Sequence, residues 1–256
     1  MGARPRLLAS LRVKPAAPLE LSGWIRIVDY RYCLMPLSPA GSLRGIGARF
    51  NIGADLRASG FNPWPALYLA ENFETAFREK FQIAADATIS GLTPAELALQ
   101  LPGGFTVMSI RGRLDSVLDL GDAQAIKPFC DEIARFTMPR KVRELARLLN
   151  ASQPQLIRNP RLLQKAVLSP KWRAIPTQFD LLAPSQIFGG LAKDSGYEAI
   201  VYSSARNHQR CAVIFPDNLV ESESYVELAG DYPPEVEVPR LDRTTWPRVQ
   251  QNLLAH

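Results

Sequence analysis

Apolar and polar positions alternate along LSGWIRIVDYRY, residues 21–32, with Trp24, Ile25, Ile27 and Val28 as the apolar set. That period of two predicts a strand carrying Arg26 and Arg31 near its ends. Pro36, Pro39, Gly41, Gly45 and Gly47 then break regular structure. The short run ALYLA, residues 66–70, predicts a second strand. Asn72 suits a helix N-cap, and Phe73, Ala76, Phe77 and Phe81 follow at helical spacing as a buried stripe. Residues 86–104 predict a short capped helix at TPAE and a Pro-Gly-Gly turn. FTVMSIR (105–111) and SVLDL (116–120) predict two further strands.

From 124 to 171 the period changes. Ile133, Phe136, Val142, Leu145, Leu148 and Leu149 recur at helical spacing, with breaks at Pro139, Pro154, Pro160 and Pro170. This predicts about three helices inserted into an otherwise strand-rich chain, an accessory to the main fold. Their basic positions, Arg140, Lys141, Arg143 and Arg147, read as a solvated face. Residues 184–196 predict a helix with Gly196 as its cap, and GYEAIVY and CAVIF predict two strands joined by SSARNHQR, residues 203–210. The flanks read as a poorly ordered basic arm, 1–23, and a loosely packed Pro-rich tail, 230–256, around a central unit of 24–229.

Composition narrows the chemistry. A chain of 256 residues that is 46% apolar can bury a sizeable core. The net charge of +5 and pI near 9.2 favour an anionic partner, although basic soluble proteins are common. Three widely spaced cysteines fit neither a disulfide framework nor a metal-ligand spacing, so a reducing cytosol is the expected compartment. Two histidines, one of them His256 at the end, argue against a His-based triad or a His-rich metal site, and no metal is expected. No apolar run reaches the roughly 20 residues of a membrane span, so no membrane partner is expected.

The stretch 45–79 concentrates the candidate chemistry. Its Gly-rich turn, GIGARFNIG, places Arg49 and Asn51 between glycines that let backbone amides approach an anion. It matches neither the P-loop nor the dinucleotide fingerprint, and a tight loop is the simpler reading. Glu79 falls at the edge of the phenylalanine stripe. A carboxylate there is either paired with an arginine or exposed in a cleft. Ser203, Ser204 and Arg206, at the end of a predicted strand, suit contact with phosphate or ribose.

Taken in order, these pieces resemble the RES-domain family, named for an arginine, a glutamate and a serine. The resemblance rests on GIGARFNIG with Arg49, on ALYLAENFETAFRE with Tyr68 and Glu79, on SVLDLGD, and on GYEAIVYSSAR with Ser204. It spans about 120 residues; Ala48 stands where the family usually shows glycine, and the short toxins of the family lack the 124–171 segment. The resemblance implies an α+β fold like that of ADP-ribosyltransferase toxins, a split, mostly antiparallel sheet with surrounding helices and a central cleft. It implies NAD as substrate, with cleavage of the nicotinamide N-glycosidic bond by phosphorolysis, hydrolysis or ADP-ribose transfer, and inorganic phosphate as one candidate co-substrate. It also implies a neutralising antitoxin or immunity protein and action in a cytosol, the cell's own or that of a target.

In that setting Glu79 faces the oxocarbenium charge, and Arg49, Arg31 or Arg26, and Ser204 are candidates for the diphosphate. Tyr68 is placed to stack on nicotinamide; Tyr32, Asn51, Ser203 and Arg206 complete the candidate set. A non-enzymatic module binding nucleic acid or a partner through the basic helices is the competing class. Few aromatics interleave with those basic residues, which counts against single-strand stacking.

Overall fold

A computed structural model of the chain describes residues 2–56, 61–83, 104–148, 150 and 155–254. The helix and turn expected within 86–104 lie outside the described residues, except for Gly104. Seven strands form one sheet: β1 (Ala17–Asp29), β2 (Leu67–Ala70), β3 (Phe105–Asp119), β4 (Ala199–Ser203), β5 (Arg210–Ile214), β6 (Tyr225–Leu228) and β7 (Arg240–Leu241). Their order is β1-β2-β5-β4-β3-β6-β7, and β1 also pairs with β3. Five strands therefore close into a ring, with β6 and β7 attached outside it. Only the β3–β4 pairing is parallel. The mostly antiparallel sheet with surrounding helices agrees with the expected α+β class.

Two long strands make the ring. β1 pairs with β3 from Ala17 opposite Val117 to Asp29 opposite Phe105, with register shifts on the way. One shift falls between Leu21 and Trp24, where Gly23 sits at φ +69°, a conformation that costs a side-chain-bearing residue more. β3 is a single strand where two had been expected, because the residues between them simply change partners. Up to Arg113 it pairs with β6, and from Val117 with β4. The amides of Asp115 and Ser116 at this transfer donate to Oε2 of the buried Glu198, at 2.8 and 3.0 Å.

The central strands are apolar on both faces and divide two cores between them. Tyr68, Ile200, Tyr202, Cys211 and Val213 face one core; Leu67, Leu69, Val201, Ala212 and Ile214 face the other. Three corrections follow from who fills these cores. The N-terminal arm is a helix, α1 (Ala3–Leu11): Leu11 is fully buried, and its carbonyl accepts from the Tyr197 hydroxyl at 2.6 Å.

Of the helices expected as accessories, α3 (Ala123–Ile133) and α5 (Pro160–Val167) cover the first core with Ile126, Phe129, Cys130, Leu163 and Val167. Between them only α4 (Arg140–Leu148) stands largely exposed, burying Ala146 alone. The C-terminal tail closes the second core, with β7 and α8 (Trp246–Leu254) contributing Leu241, Trp246 and Val249. In each case apolar residues scattered among charges found a core to enter.

Two short helices complete the description used below, α6 (Ala174–Phe179) and α7 (Pro184–Asp194), the latter followed by Gly196 at φ +86° as expected. α2 (Phe73–Phe81) follows β2. If the tail is integral, Trp246→Ala should cost about 3–5 kcal/mol, the range for removing a buried aromatic. Urea unfolding measures this, and a change under 1 kcal/mol would return the tail to a loose appendage.

Candidate active site

α2 begins where Asn72 accepts the Thr75 amide at 2.9 Å, the expected N-cap. Phe77 is fully buried and stacks with Phe73, Phe81 and Phe105 at ring separations of 4.6 to 6.0 Å. Those contacts fix the rotation of the helix about its axis. Thr75, Glu79 and Gln82, spaced i, i+4 and i+7, therefore lie along one side. The loop after β4 runs against that side. Asn207 Nδ2 donates to Thr75 Oγ1 at 2.9 Å, Ser204 Oγ donates to Glu79 Oε1 at 2.6 Å, and Arg206 Nη2 donates to Gln82 Oε1 at 2.5 Å. The Ala205 amide adds a second donor to Glu79 Oε1 at 3.2 Å.

Glu79 lines a cleft of about 440 Å³ on the first-core side of the sheet. No lysine or arginine among the described residues forms an ion pair with it, so of the two readings of this carboxylate the cleft-facing one holds. Cations lining the cleft are Arg26, Arg31, Arg44, Arg49, Lys80 and Arg173, against the acids Asp29 and Glu79. Asp29 is already paired, with Lys80 at 2.7 Å and Arg31 at 3.2 Å, and both partners hold its carboxyl below the usual range. The cleft is thus a positive enclosure around one uncompensated carboxylate.

Arg49 is buried, and its Nη1 donates to the carbonyls of Ser169 at 2.9 Å and Val167 at 3.3 Å. These belong to the C-terminal end of α5, where unpaired carbonyls and the helix dipole favour a cation. Arg26 is spent on backbone carbonyls: Pro36 at 2.6 Å, Ser38 at 3.0 Å and Tyr68 at 3.2 Å. Burial lowers its pKa to about 10. It borders the cleft while bracing the 36–38 loop. Arg31 stands at the exposed rim, over the Tyr32 ring at 5.0 Å, and Arg44 approaches the same ring at 5.6 Å. The Tyr32 hydroxyl is buried at the cleft without a hydrogen-bond partner.

Asn51 is fully buried and acts as the hub of the Gly-rich turn. Its Oδ1 accepts from the Tyr68 hydroxyl at 2.9 Å and the Ala48 amide at 3.2 Å, and its Nδ2 donates to the Ser42 carbonyl at 2.7 Å. The Phe50 amide donates to the Tyr68 hydroxyl at 2.9 Å. Burial raises the Tyr68 hydroxyl far above its usual range.

Gly47 and Gly53 pass so close that a Cβ on Gly47 would lie 2.4 Å from the Gly53 nitrogen. The amides of Gly47, Ala48, Phe50 and Asn51 all donate inside this assembly. The turn is thus a tight loop that aims Arg49 and Tyr68, and those amides form no open phosphate cradle.

Ser204 is buried against Glu79, whereas Ser203 is exposed on the other face of β4 and does not line the cleft. Arg206 lies behind the wall, reaching it through Gln82. Gln82, Trp172 and Arg173 are among the lining residues that carried no expectation. Arg173 donates to Gln82 Oε1 at 2.8 Å and lies over the Trp172 ring at 4.5 Å. Among the described residues no group of three His, Cys, Asp or Glu side chains could hold a metal, and no helix could cross a membrane.

An arginine, a glutamate and a serine brought together from a turn, a helix and a strand end define the class of site. Residues 24–235 match the family model for the RES domain, and the chain belongs to the RES-domain family. No curated protein matches it. Among solved structures, the crystal structure of the M. tuberculosis MbcT-MbcA toxin-antitoxin complex aligns with 98% of this chain and all of that one, at 12% identity and a TM-score of 0.49.

The two serines make a paired test of who holds Glu79. Ser204→Ala should lower stability by about 1–3 kcal/mol, since it removes a hydrogen bond to a charged, part-buried acceptor; Ser203→Ala should change nothing. Equal melting temperatures for the two variants would remove the orienting role of Ser204.

Proposed function

We propose that the protein cleaves the nicotinamide N-glycosidic bond of NAD. The observation that carries this reading is Glu79: a carboxylate oriented by Ser204 and the Ala205 amide, without an ion-pair partner among the described residues, at the wall of a cation-rich cleft. Cleavage builds positive charge on the ribose, an oxocarbenium-like state of the kind met in glycoside hydrolysis. A carboxylate already oriented stabilises that charge without reorganising. Nicotinamide leaves as a neutral base, so no acid is needed to protonate it. The surplus of guanidinium groups suits the diphosphate, with Arg49 the member aimed by the Gly-rich turn and Arg31 at the rim. Tyr68, braced through its hydroxyl, offers its ring to the cleft.

The reading extends to the fold and the biology. We read the mostly antiparallel sheet with its cleft on one face as the ADP-ribosyltransferase-like arrangement that the family resemblance implies, and a toxin restrained by an antitoxin or immunity protein is the proposed setting. The acceptor that captures the ribose is water, phosphate or a macromolecule. Incubating pure protein with labelled NAD, with and without phosphate and with a cell lysate, and following nicotinamide release and label transfer tests the reaction and separates these acceptors. No release under any condition from the folded protein, freed of any co-purifying partner, would overturn the reading.

Glu79→Gln gives the sharper prediction. An amide oxygen can still accept from Ser204 and Ala205, so fold and dinucleotide affinity should persist. Turnover should fall on the order of 10²-fold or more, in kcat and not in KM, because the charge exists only near the transition state. A destabilised variant with near wild-type turnover per folded molecule would show that Glu79 is a structural group.

A further inference from the structure

Gln82 occupies an unusual place. It caps the C-terminus of α2 at φ +60°, a left-handed conformation that glycine or asparagine takes at lower cost. Its side chain is used at both ends. Nε2 donates to the Glu79 carbonyl at 2.5 Å, while Oε1 accepts from Arg173 at 2.8 Å and from Arg206 at 2.5 Å. One neutral oxygen thus holds two guanidinium groups, one from the segment entering α6 and one from the loop after β4. Neither arginine meets a carboxylate within ion-pair distance among the described residues. Nε of Arg206 is buried without a hydrogen-bond partner.

Two like charges converging at the cleft wall repel each other, and the charged state of Arg173, at the surface yet partly screened from water, is disfavoured by that desolvation, by Arg49 and by Arg206. A single amide oxygen compensates little of this. A doubly charged tetrahedral anion would do so fully, because its oxygens can accept from both forks at once.

We propose that Arg173 and Arg206 form a phosphoryl-binding pair, and that Gln82 Oε1 marks the position a phosphoryl oxygen takes. The chemistry is shared by two sources, the diphosphate of a dinucleotide and a free inorganic phosphate. Only that choice rests on the NAD reading above. Arg26 is spent on backbone carbonyls and Arg31 is paired with Asp29. The pair at Gln82 therefore adds to Arg49 and the rim Arg31 the fork that Arg26, expected at the diphosphate, does not have free.

Isothermal titration with ADP and, separately, with inorganic phosphate tests the pair in the full chain. Three forms are compared: wild type, Arg173→Gln, and Gln82→Glu, which sets a permanent carboxylate between the arginines. Arg173 and Gln82 are exposed, so both variants should melt close to wild type. Both should weaken one of the two anions by about 10- to 100-fold, the scale of a charged hydrogen bond. Loss confined to ADP assigns the pair to the diphosphate, and loss confined to phosphate assigns it to a free anion.

Wild-type protein that binds neither anion, or variants that bind both as wild type does, would overturn the proposal. Nicotinamide release is scored independently. Anion binding that depends on Arg173 in a protein that leaves NAD intact sinks the enzyme reading alone. Wild-type KM for NAD in both variants, with unchanged response to phosphate, sinks the phosphoryl pair alone.

Discussion

The pairing of β1 with β3 is the constraint on which the rest of the structure depends. These two long strands run against each other from Ala17 to Asp29 and bring into register residues as far apart as Ala17 and Val117. Their pairing closes the strand ring, since β1 meets β2 only at Ile25 and Ala70. With the ring closed, β2, β4 and β5 are covered on both faces. β2 then presents Tyr68 to the cleft, and the loop after β4 sets Ser204 against Glu79 at its wall. Paying the entropy of so non-local a pairing requires large apolar burial. The two cores supply it, and α1, α3, α5, α7 and α8 are the elements that complete them.

Against that frame the site is assembled by a seam. The loop 204–207 binds α2 at Thr75, Glu79 and Gln82, one contact per turn of helix. The phenylalanines, at whose edge Glu79 was expected, pack on the other side of the helix and prevent it from rolling away. Glu79 is therefore held from both sides: apolar packing sets the helix, and hydrogen bonds set the carboxylate. Arg49 is held independently, by the carbonyls that end α5. Charges of opposite sign in one cleft are thus kept apart by their separate anchors instead of collapsing into an ion pair.

Much of this was legible in the chain and some was not, for definable reasons. The strands, the Asn72 cap and the stripe of α2 follow from local periodicity, which survives in the folded state. Glu79 and Ser204 were legible as a pair only through the family pattern; their contact spans 125 residues. The anchors of Arg49 could not be read, because backbone carbonyls have no residue type. Helices α3 and α5 looked accessory because periodicity shows that a helix has an apolar side without showing what covers it. Gln82 and Arg173 were missed, although Gln82 stands three residues beyond Glu79 on the same side of the helix. A glutamine at a left-handed cap was the available signal, and it is a conformational one.

Ring closure has a consequence for how other proteins can hold this one. An open sheet offers the free amides and carbonyls of its outermost strand to a visiting segment. Here β4 and β5 are paired on both sides, and the chain of pairings ends at β7, only two residues long. β4 and β5 therefore offer a visiting segment no free strand edge. Contact with that part of the sheet is made through side chains alone, so it rests on residues that can vary while the backbone architecture stays the same.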